Sequence, residues 1–384
     1  MKRYCKNVNI LDLEFIKICV KDCLGKGNKW KRRDVMVYFS NLMNISKAET
    51  KRLIQKDKNK LIDAASISLR KELATRKLYL PPTWYKKKID NSSGKERLIG
   101  IQNIKQQLCD YIAVYGMQEL LKRIGEFQCA SIPGKGPTWG VMHIRKWLKE
   151  KDCNYFVKMD IRKCFPSIPH DKLLVLIDKY VANDNLKWLV HKLVDNMVQG
   201  LSIGSYLSQY LCNFYISFLY HEIKENLFYI RRGHRISKVA HLLIYMDDIL
   251  LIGKNSKELL SASKYVVEYT KNVLGLTIKP EWSINKLTSK TFIDIMGFRI
   301  YRDHITIRRK VFIRVRRCYK RALKYKDSLR LARKCNSYKG YVVHTNSIKF
   351  ANRYKVYKTL KRTRRAESVN SSIFRQRTAC YLNS

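Results

Sequence analysis

The spacing of hydrophobic residues changes several times along the chain. Over residues 1–78, apolar residues such as Leu11 and Phe15 recur at helical spacing with charged residues between them, which predicts amphipathic helices. Residues 79–101 contain two adjacent prolines and the turn signal "NSSG" between short β-like segments, which predicts a basic β-hairpin. The helical spacing then returns, interrupted by a Gly/Pro-rich loop at 129–140.

Two apolar segments contain aspartates in strand-like surroundings. "NYFVKMDIRKCFPSI" predicts a buried strand that ends at Asp160, and "HLLIYMDDILLIG" predicts two strands joined at Asp247 and Asp248. Burying an unpaired carboxylate costs several kcal/mol, so these residues need a counter-charge. The strands, and the helical segments between and around them, predict a mixed α/β (α+β) fold without internal repeats.

The net charge of the chain limits the kinds of partner it is expected to bind. The 384 residues, 46% of them hydrophobic, suffice for two or three domains. Lys and Arg number 78 against 31 Asp and Glu, so the formal net charge is +47, which opposes compaction unless a polyanion cancels it. Residues 299–365 carry about two dozen of these cations at helical spacing, which predicts a basic α-domain. We therefore expect a nucleic-acid partner rather than a membrane surface, because no lipidation motif or basic amphipathic anchor is present.

The eleven cysteines are scattered singly, without a Cys-x-x-Cys pair or a Cys/His cluster at zinc spacing. The N-terminal segment lacks the apolar core of a signal peptide, and no apolar run reaches the length of a membrane span. We expect a soluble cytoplasmic protein whose thiols pack as small hydrophobic groups.

Aspartates at the ends of strands are suited to hard divalent cations, since Mg²⁺ is typically bound by one or two carboxylates together with substrate phosphates. Two ions roughly 3.5–4 Å apart can serve an attacking 3′-hydroxyl and a leaving pyrophosphate. An Asp-Asp pair alone usually marks a hairpin turn. Together with Asp160 and the basic charge, Asp247 and Asp248 instead predict a site for two Mg²⁺ ions, or for Mn²⁺ in their place.

From about residue 79 to 350, the chain resembles the reverse transcriptases. "YMDD" (245–248) is similar to the Tyr-x-Asp-Asp box of that family, and "MDIRKCFPSI" is similar to its first catalytic strand. The resemblance implies a right-hand polymerase in which Asp160, Asp247 and Asp248 are the catalytic metal ligands and the carbonyl of Ile161 is a further ligand. The implied parts are an N-terminal helical segment (1–78), fingers (79–152), a palm (153–285), and a primer-grip hairpin, thumb and tail (286–384).

The same resemblance implies the nucleotide contacts. In "GKERLIGIQNIKQQ", Arg97 would grip the triphosphate, assisted by Lys95 or a lysine of 86–88, although each basic residue taken singly is compatible with a solvated face. Phe165 would exclude a ribose 2′-hydroxyl, the alternative being a role in the core. "FIDIMGFRI" is similar to the hairpin that holds the primer end, and its tip residues are Met296, Gly297 and Phe298.

Two positions depart from the usual family pattern. "GLSIGSYLSQ" has Ile203 and Gly204 where most members have Gln-Gly, and this Ile-Gly-x-x-x-Ser-Gln form resembles the enzymes of diversity-generating retroelements. That resemblance implies error-prone copying, because an aliphatic side chain cannot hydrogen-bond the nucleotide. The lysine expected after "PE" is replaced by Trp282 and Ser283, with Lys279 preceding, so a general acid is not assigned there.

We therefore predict an RNA-directed DNA polymerase that copies an RNA template with dNTPs and holds the RNA/DNA duplex on its thumb. A diversity-generating enzyme would act with a small accessory protein, a phage-defence enzyme with a structured non-coding RNA, and a retron enzyme would prime from its own RNA. A separate maturase, endonuclease or zinc domain is not visible, which argues against an intron-encoded protein. Alternatives of another class are a non-catalytic RNA-binding scaffold and a palm that makes untemplated nucleotides.

Overall fold

The computed structural model of the chain describes residues 2–89, 94, 96–325, 328–362 and 365. The chain forms two compact units. The first contains residues 1–128, 160–223 and 265–280, and the second contains residues 129–159, 224–264 and 281–384.

Helices make up most of the described chain. Their bounds are α1 (Leu13–Gly25), α2 (Arg33–Met43), α3 (Lys47–Lys56), α4 (Lys58–Ala74), α5 (Ile104–Gly116), α6 (Pro137–Trp147), α7 (Cys164–Ser167), α8 (His170–Tyr180), α9 (Asp184–Asp195), α10 (Tyr206–Asn226), α11 (Ser256–Asn272), α12 (Arg309–Lys324), α13 (Leu329–Val343) and α14 (Ile348–Arg353). The predicted N-terminal helices are present, and local signals explain their starts. Asp12 caps α1 by accepting a hydrogen bond from the N–H of Phe15, and Ser46 and Glu49 form a capping box at α3.

The strands are β1 (Trp84–Ile89), β2 (Glu96–Ile101), β3 (Gln128–Cys129), β4 (Tyr155–Asp160), β5 (Phe228–Arg231), β6 (His234–Ser237), β7 (His241–Tyr245), β8 (Asp248–Gly253), β9 (Ile284–Lys286), β10 (Ile293–Ile295), β11 (Phe298–Ile300) and β12 (Ile305–Ile307). β1 and β2 form the predicted hairpin, whose tip lies largely outside the described residues. β10, β11 and β12 form a separate antiparallel sheet, and β5 pairs with β6.

The largest sheet has five strands in the order β3-β7-β8-β4-β9. β7 and β8 are antiparallel, as are β4 and β9. The N–H of Asn154, just before β4, donates to the carbonyl of Gly253 at the end of β8 (3.0 Å), while Lys158 near the end of β4 contacts Asp248 at the start of β8. β4 and β8 therefore run in opposite directions. Asp160 is the last residue of β4, and Asp248 is the first residue of β8.

Within the range predicted as a basic α-domain (299–365), α12, α13 and α14 are helical as expected, whereas residues 299–307 lie mainly in β11 and β12, so the prediction was wrong there. The core of the three helices includes Val315, Tyr319 and Phe350, whereas the cations of α12 are on its exposed face: Arg309, Lys310, Arg314, Arg316, Arg317, Lys320, Arg321 and Lys324. The predicted C-terminal tail beyond residue 365 lies outside the described residues.

The ten cysteines in the described part of the chain are all buried and have free thiols, as the sequence predicted. Among the described helices, none combines the length and the apolar character that a membrane crossing requires.

Candidate active site

The Asp247–Asp248 pair lies at a tight hairpin. In the register of β7 and β8, Tyr245 is opposite Asp248, so Met246 and Asp247 form a two-residue turn. Met246 has φ of 54°, a left-handed conformation that is unfavourable for a non-glycine residue and is often found at functional sites. The buried apolar residues of both strands hold the turn in place, with Asp248 as the first residue of β8.

The carboxylate of Asp248 has a lysine as its nearest described counter-charge. The Nζ atom of Lys158 lies 2.9 Å from Oδ1 of Asp248 and also donates to the main-chain carbonyl of Asp294 at 3.3 Å. The guanidinium of Arg308 in turn contacts the carboxylate of Asp294 at 2.5 Å. Alternating positive and negative groups thus connect Asp248 to β10.

Asp160 is the last residue of β4. It lies two residues after Lys158, and alternate residues of a strand face the same side of the sheet. The Nζ atom of Lys279 contacts Oδ1 of Asp160, and the N–H of Lys279 donates to the carbonyl of Asp160 at 2.9 Å. The side chains of Lys279 and Asp160 are each one-third exposed, but Oδ1 of Asp160 itself is buried.

The main-chain carbonyl of Ile161, the residue after Asp160, is not used in pairing with the neighbouring segment. Ile161 and Ile278 form an antiparallel bridge whose hydrogen bonds use the carbonyl of Asp160 and the N–H of Arg162, which donates to Thr277 at 2.8 Å. The carbonyl of Ile161 takes no part in this bridge and therefore points to the other side of the strand.

These groups fit a divalent cation in their chemistry. Carboxylate and main-chain carbonyl oxygens are the hard donors that Mg²⁺ prefers. Lysine ammonium groups contact Asp160 and Asp248, which shows that both positions attract a positive charge.

Backbone contacts within the first unit hold the loop that contains Ile203 and Gly204. The N–H of Leu201 donates to the carbonyl of Phe165 at 2.8 Å, and the N–H of Gly100 donates to the carbonyl of Ile203 at 2.8 Å. Gly204 has φ of +117°, and a Cβ there would lie 2.6 Å from the carbonyl oxygen of Gly100. The segments that contain Phe165, Gly100 and Ile203, which the sequence analysis treated separately, are therefore adjacent.

Arg97 lies on β2, opposite Lys88, and its side chain is exposed. It is three residues from Gly100, or about 10 Å along the strand. Lys95, the other predicted triphosphate ligand, lies outside the described residues.

The family profile described as reverse transcriptase (RNA-dependent DNA polymerase) matches residues 85–300, more than half of the chain. The chain belongs to this family. Membership, together with the observed sheet and helices, confirms the predicted mixed α/β right-hand polymerase fold.

Two yeast proteins resemble parts of this reverse transcriptase. A putative COX1/OXI3 intron 2 protein of Saccharomyces cerevisiae is 31% identical over 75 residues, covering 17% of this chain and 9% of that protein. An uncharacterized 91 kDa protein in the cob intron of Schizosaccharomyces pombe is 29% identical over 152 residues, covering 36% and 18%. The chain thus matches less than a fifth of the length of either. Apo telomerase from Candida tropicalis, truncated from its C-terminal domain, has a TM-score of 0.43 at 15% identity, covering 62% of this chain and 60% of that one.

The reverse transcriptase has a tight turn at the predicted primer-grip residues. Met296 and Gly297 both have positive φ, 54° and 86°, and Phe298 begins β11. The side chains of Met296 and Phe298 are buried, and the ring of Phe298 stacks on Tyr341 at 4.8 Å. Contact with a primer at this turn would therefore use the backbone rather than these two side chains.

A large open cleft, which we call the aromatic cleft, lies within the first unit. Its volume is about 1030 Å³, and its lining residues are Lys29, Arg32, Arg33, Asp34, Val37, Trp84, Ile99, Gly100, Ile101, Gln102, Asn103, Gln107, Tyr111, Gly204, Tyr206 and Gln209. Trp84 is 80% exposed, and Tyr111 stacks on Tyr206 at 4.3 Å with Lys29 5.0 Å above the Tyr111 ring. Aromatic faces and cations are thus concentrated on one surface.

Sequence reasoning missed three residues that the structure makes prominent: Lys158, Trp84 and Asp110. Lys158 interrupts an apolar strand two positions before Asp160, and Asp110 is the lone acid in the apolar helix α5. A charged residue in an otherwise buried segment was the available signal for both.

Proposed function

We propose that this reverse transcriptase synthesises DNA on an RNA template, and that Asp160, Asp247 and Asp248 form its catalytic site. The observation that supports the proposal is that Asp160 is the last residue of β4 and Asp248 the first residue of β8, which are antiparallel neighbours in one sheet. Reverse transcriptase domains generally use divalent ions such as Mg²⁺.

In this proposal the three carboxylates and the carbonyl of Ile161 would hold two Mg²⁺ ions, which would supply Lewis-acid activation of a primer 3′-hydroxyl and positive charge for a leaving pyrophosphate. Lys158, which also donates to the carbonyl of Asp294, supplies positive charge beside the carboxylate of Asp248. Lys279 supplies positive charge beside Asp160.

Substrate selection is assigned to residues of the first unit. Arg97 and Lys95 bind the triphosphate, and Phe165 lies under the sugar and excludes a 2′-hydroxyl. Ile203 and Gly204 lie against the base pair that forms. Supporting this, the backbone bonds of Phe165 and Gly100 place the Ile203–Gly204 loop beside β2.

Nucleic acid would bind on two surfaces. The exposed cations of α12 track the duplex through phosphate contacts, which carry affinity without sequence information. In the aromatic cleft, Trp84, which is 80% exposed, offers a stacking face to the single-stranded template, and Lys29 and Arg33 offer charge.

For the biological setting we propose a diversity-generating retroelement, on the strength of Ile203 alone. An aliphatic residue leaves the nucleotide without a hydrogen-bonding partner at this position, so base discrimination should weaken. Ile203→Gln should then lower misincorporation opposite template adenine, and an unchanged error spectrum would remove the basis of this assignment. A phage-defence role with a non-coding RNA and an intron-encoded role, to which the names of the yeast relatives point, are the competing settings.

One experiment tests the function and the setting together. The protein is purified with its bound nucleic acid, and both RNA and any DNA are sequenced, in parallel with the Asp247→Asn/Asp248→Asn variant. DNA copied from a defined RNA and absent in the variant supports templated reverse transcription and identifies the template. RNA without DNA, even when Mg²⁺ and dNTPs are supplied, would favour the non-catalytic scaffold.

The matched control is Asp152→Asn. Asp152 belongs to the second unit and pairs at the surface with Lys254 at 2.9 Å. Its loss removes one carboxylate without touching the proposed metal ligands, so incorporation should remain at the wild-type level.

A further inference from the structure

Asp110 is a fully buried carboxylate that the proposed mechanism does not use. It lies on α5 with no solvent exposure. Its Oδ2 atom accepts hydrogen bonds from the hydroxyl of Ser205 at 2.7 Å and from the N–H of Leu207 at 3.4 Å. Ser205 directly follows Gly204, so Asp110 holds the end of the Ile203–Gly204 loop.

The same contacts fix the start of α10. The Oγ atom of Ser205 accepts from the N–H of Ser208 at 3.2 Å, which is the bond of an N-cap residue. The carboxylate of Asp110 therefore lies at the positive end of a helix of 21 residues, where a negative charge is stabilised.

Three points hold the loop: Leu201 through Phe165, Ile203 through Gly100, and Ser205 through Asp110. The first two are main-chain hydrogen bonds. Of these three, only the third uses side chains on both partners, so its strength depends on residue identity and can be changed by substitution.

Burial raises the pKa of Asp110 to about 6, against the opposing hydrogen bonds from Ser205, Gln102 and the N–H groups at the start of α10. The titratable groups nearest to it are Cys23, Cys109 and Tyr111, whose pKa values are all raised, chiefly by burial. With raised pKa values these three groups stay neutral between pH 5 and 8, whereas Asp110 changes charge in this range. Lys29 and Arg32 are the cations that face Cys23.

We propose that Asp110 is a positioning residue for nucleotide selection, which fixes Ser205 and thereby the placement of Ile203 and Gly204 at the incoming base pair. This inference rests on the proposed function. A purely structural Asp110 would instead affect stability and leave the affinity for dNTPs unchanged.

The test compares Asp110→Ala, Asp110→Asn and Ser205→Ala with Ser217→Ala as the matched control. Ser217 is a buried serine of the same helix whose hydroxyl bonds only to the carbonyl of Phe214 among the described residues. Two quantities are measured: amide hydrogen exchange of residues 200–208, and KM and kcat for each dNTP with the misincorporation rate.

We expect Ser205→Ala and Asp110→Ala to raise the KM for dNTPs about tenfold, the ratio that corresponds to one lost charge-assisted hydrogen bond. Exchange at 200–208 and misincorporation should rise with it, while kcat stays within about twofold. The variant that combines Ser205→Ala with Asp110→Ala should have the same KM as either single variant, because both substitutions remove the same hydrogen bond. Asp110→Asn keeps an acceptor for Ser205 but lacks the charge, so at pH 8 its KM should lie between those of the wild type and Ser205→Ala. As the pH falls through about 6, the KM of the wild type should rise to that of Asp110→Asn, whose own KM should not change in this range.

If Ser205→Ala keeps wild-type exchange and KM, the positioning role is wrong, and this variant remains informative even where Asp110→Ala does not fold. If wild-type protein shows no nucleotide incorporation that depends on Asp247 and Asp248, the proposed function is wrong. The role of Asp110 in nucleotide selection is then wrong as well. Exchange at 200–208 then still reports whether Asp110 holds the loop, independently of activity.

Discussion

The ammonium group of Lys158 and the carboxylate of Asp248 meet at 2.9 Å across two neighbouring strands of one sheet. Their side chains are 30% and 21% exposed, so solvent screens the pair and its contribution to stability is small. Its effect is instead on local charge: a fixed cation lies beside a carboxylate that we assign to a metal ion.

Lys158→Gln should lower the Mg²⁺ concentration that gives half-maximal incorporation, by up to about fivefold. Without the ammonium group of Lys158, the carboxylate of Asp248 attracts Mg²⁺ more strongly. An ion pair of this exposure is worth up to about 1 kcal/mol, which sets the size of the effect. A Mg²⁺ titration of primer extension measures this. Lys254→Gln, which removes a surface lysine paired with Asp152, should leave the midpoint in place. A midpoint that moves upward would show that Lys158 acts mainly by orienting Asp248.

Phe165→Ala should increase the use of ribonucleotides relative to deoxyribonucleotides by about tenfold or more, because a steric conflict in a pocket is worth about 1–3 kcal/mol. Single-nucleotide extension with paired dNTP and rNTP substrates gives the ratio. Phe15→Ala removes another half-buried phenylalanine, on α1, and serves as the control. If both variants use ribonucleotides and deoxyribonucleotides in the same ratio, Phe165 has only a packing role.

Gly204→Ala should destabilise the protein by more than backbone strain alone explains. Alanine at φ of +117° is strained, and its Cβ would lie 2.6 Å from the carbonyl oxygen of Gly100. Gly27→Ala isolates the strain, since Gly27 has φ of +67° and no atom within 4 Å of its Cβ position. We expect about 1 kcal/mol for Gly27→Ala and about 3 kcal/mol for Gly204→Ala by denaturant unfolding. Similar losses would indicate that the loop moves away from Gly100.

The contribution of Asp110 to stability should fall as the pH rises from about 4 to about 6, because the folded state binds the Asp110 proton more tightly than the unfolded state. Its pKa is raised to about 6 in the folded protein, so the free energy of unfolding is highest below the ordinary aspartate pKa. Two pKa units correspond to roughly 3 kcal/mol at most. Asp110→Asn should remove this slope. Asp195→Asn, at an exposed position, should retain it, and a wild-type slope in Asp110→Asn would contradict the assignment.

Local features were predictable from the sequence because their signals are local. The hairpin at Asp247–Asp248 follows from apolar runs on both sides, and the strand that ends at Asp160 follows from its own composition. The strand order was not predictable, since β4 pairs with a strand about 90 residues later. Likewise, Asp110 is hydrogen-bonded to Ser205, 95 positions away, and no local sequence signal in either segment predicts this contact. The roles of the predicted site residues remain predictions for the same reason: they depend on how distant segments meet around a substrate.

The division of the chain into two interleaved units has a consequence for its biosynthesis. The first unit requires residues up to 280, and the second requires segments on both sides of that point. Neither unit is therefore complete before residues 265–280 have been synthesised, so the first unit cannot finish folding ahead of the second as an N-terminal domain usually does. Apolar residues that pack against these later segments stay unpaired until late in translation. Its demand for chaperones should exceed that of a protein of equal length built from consecutive domains.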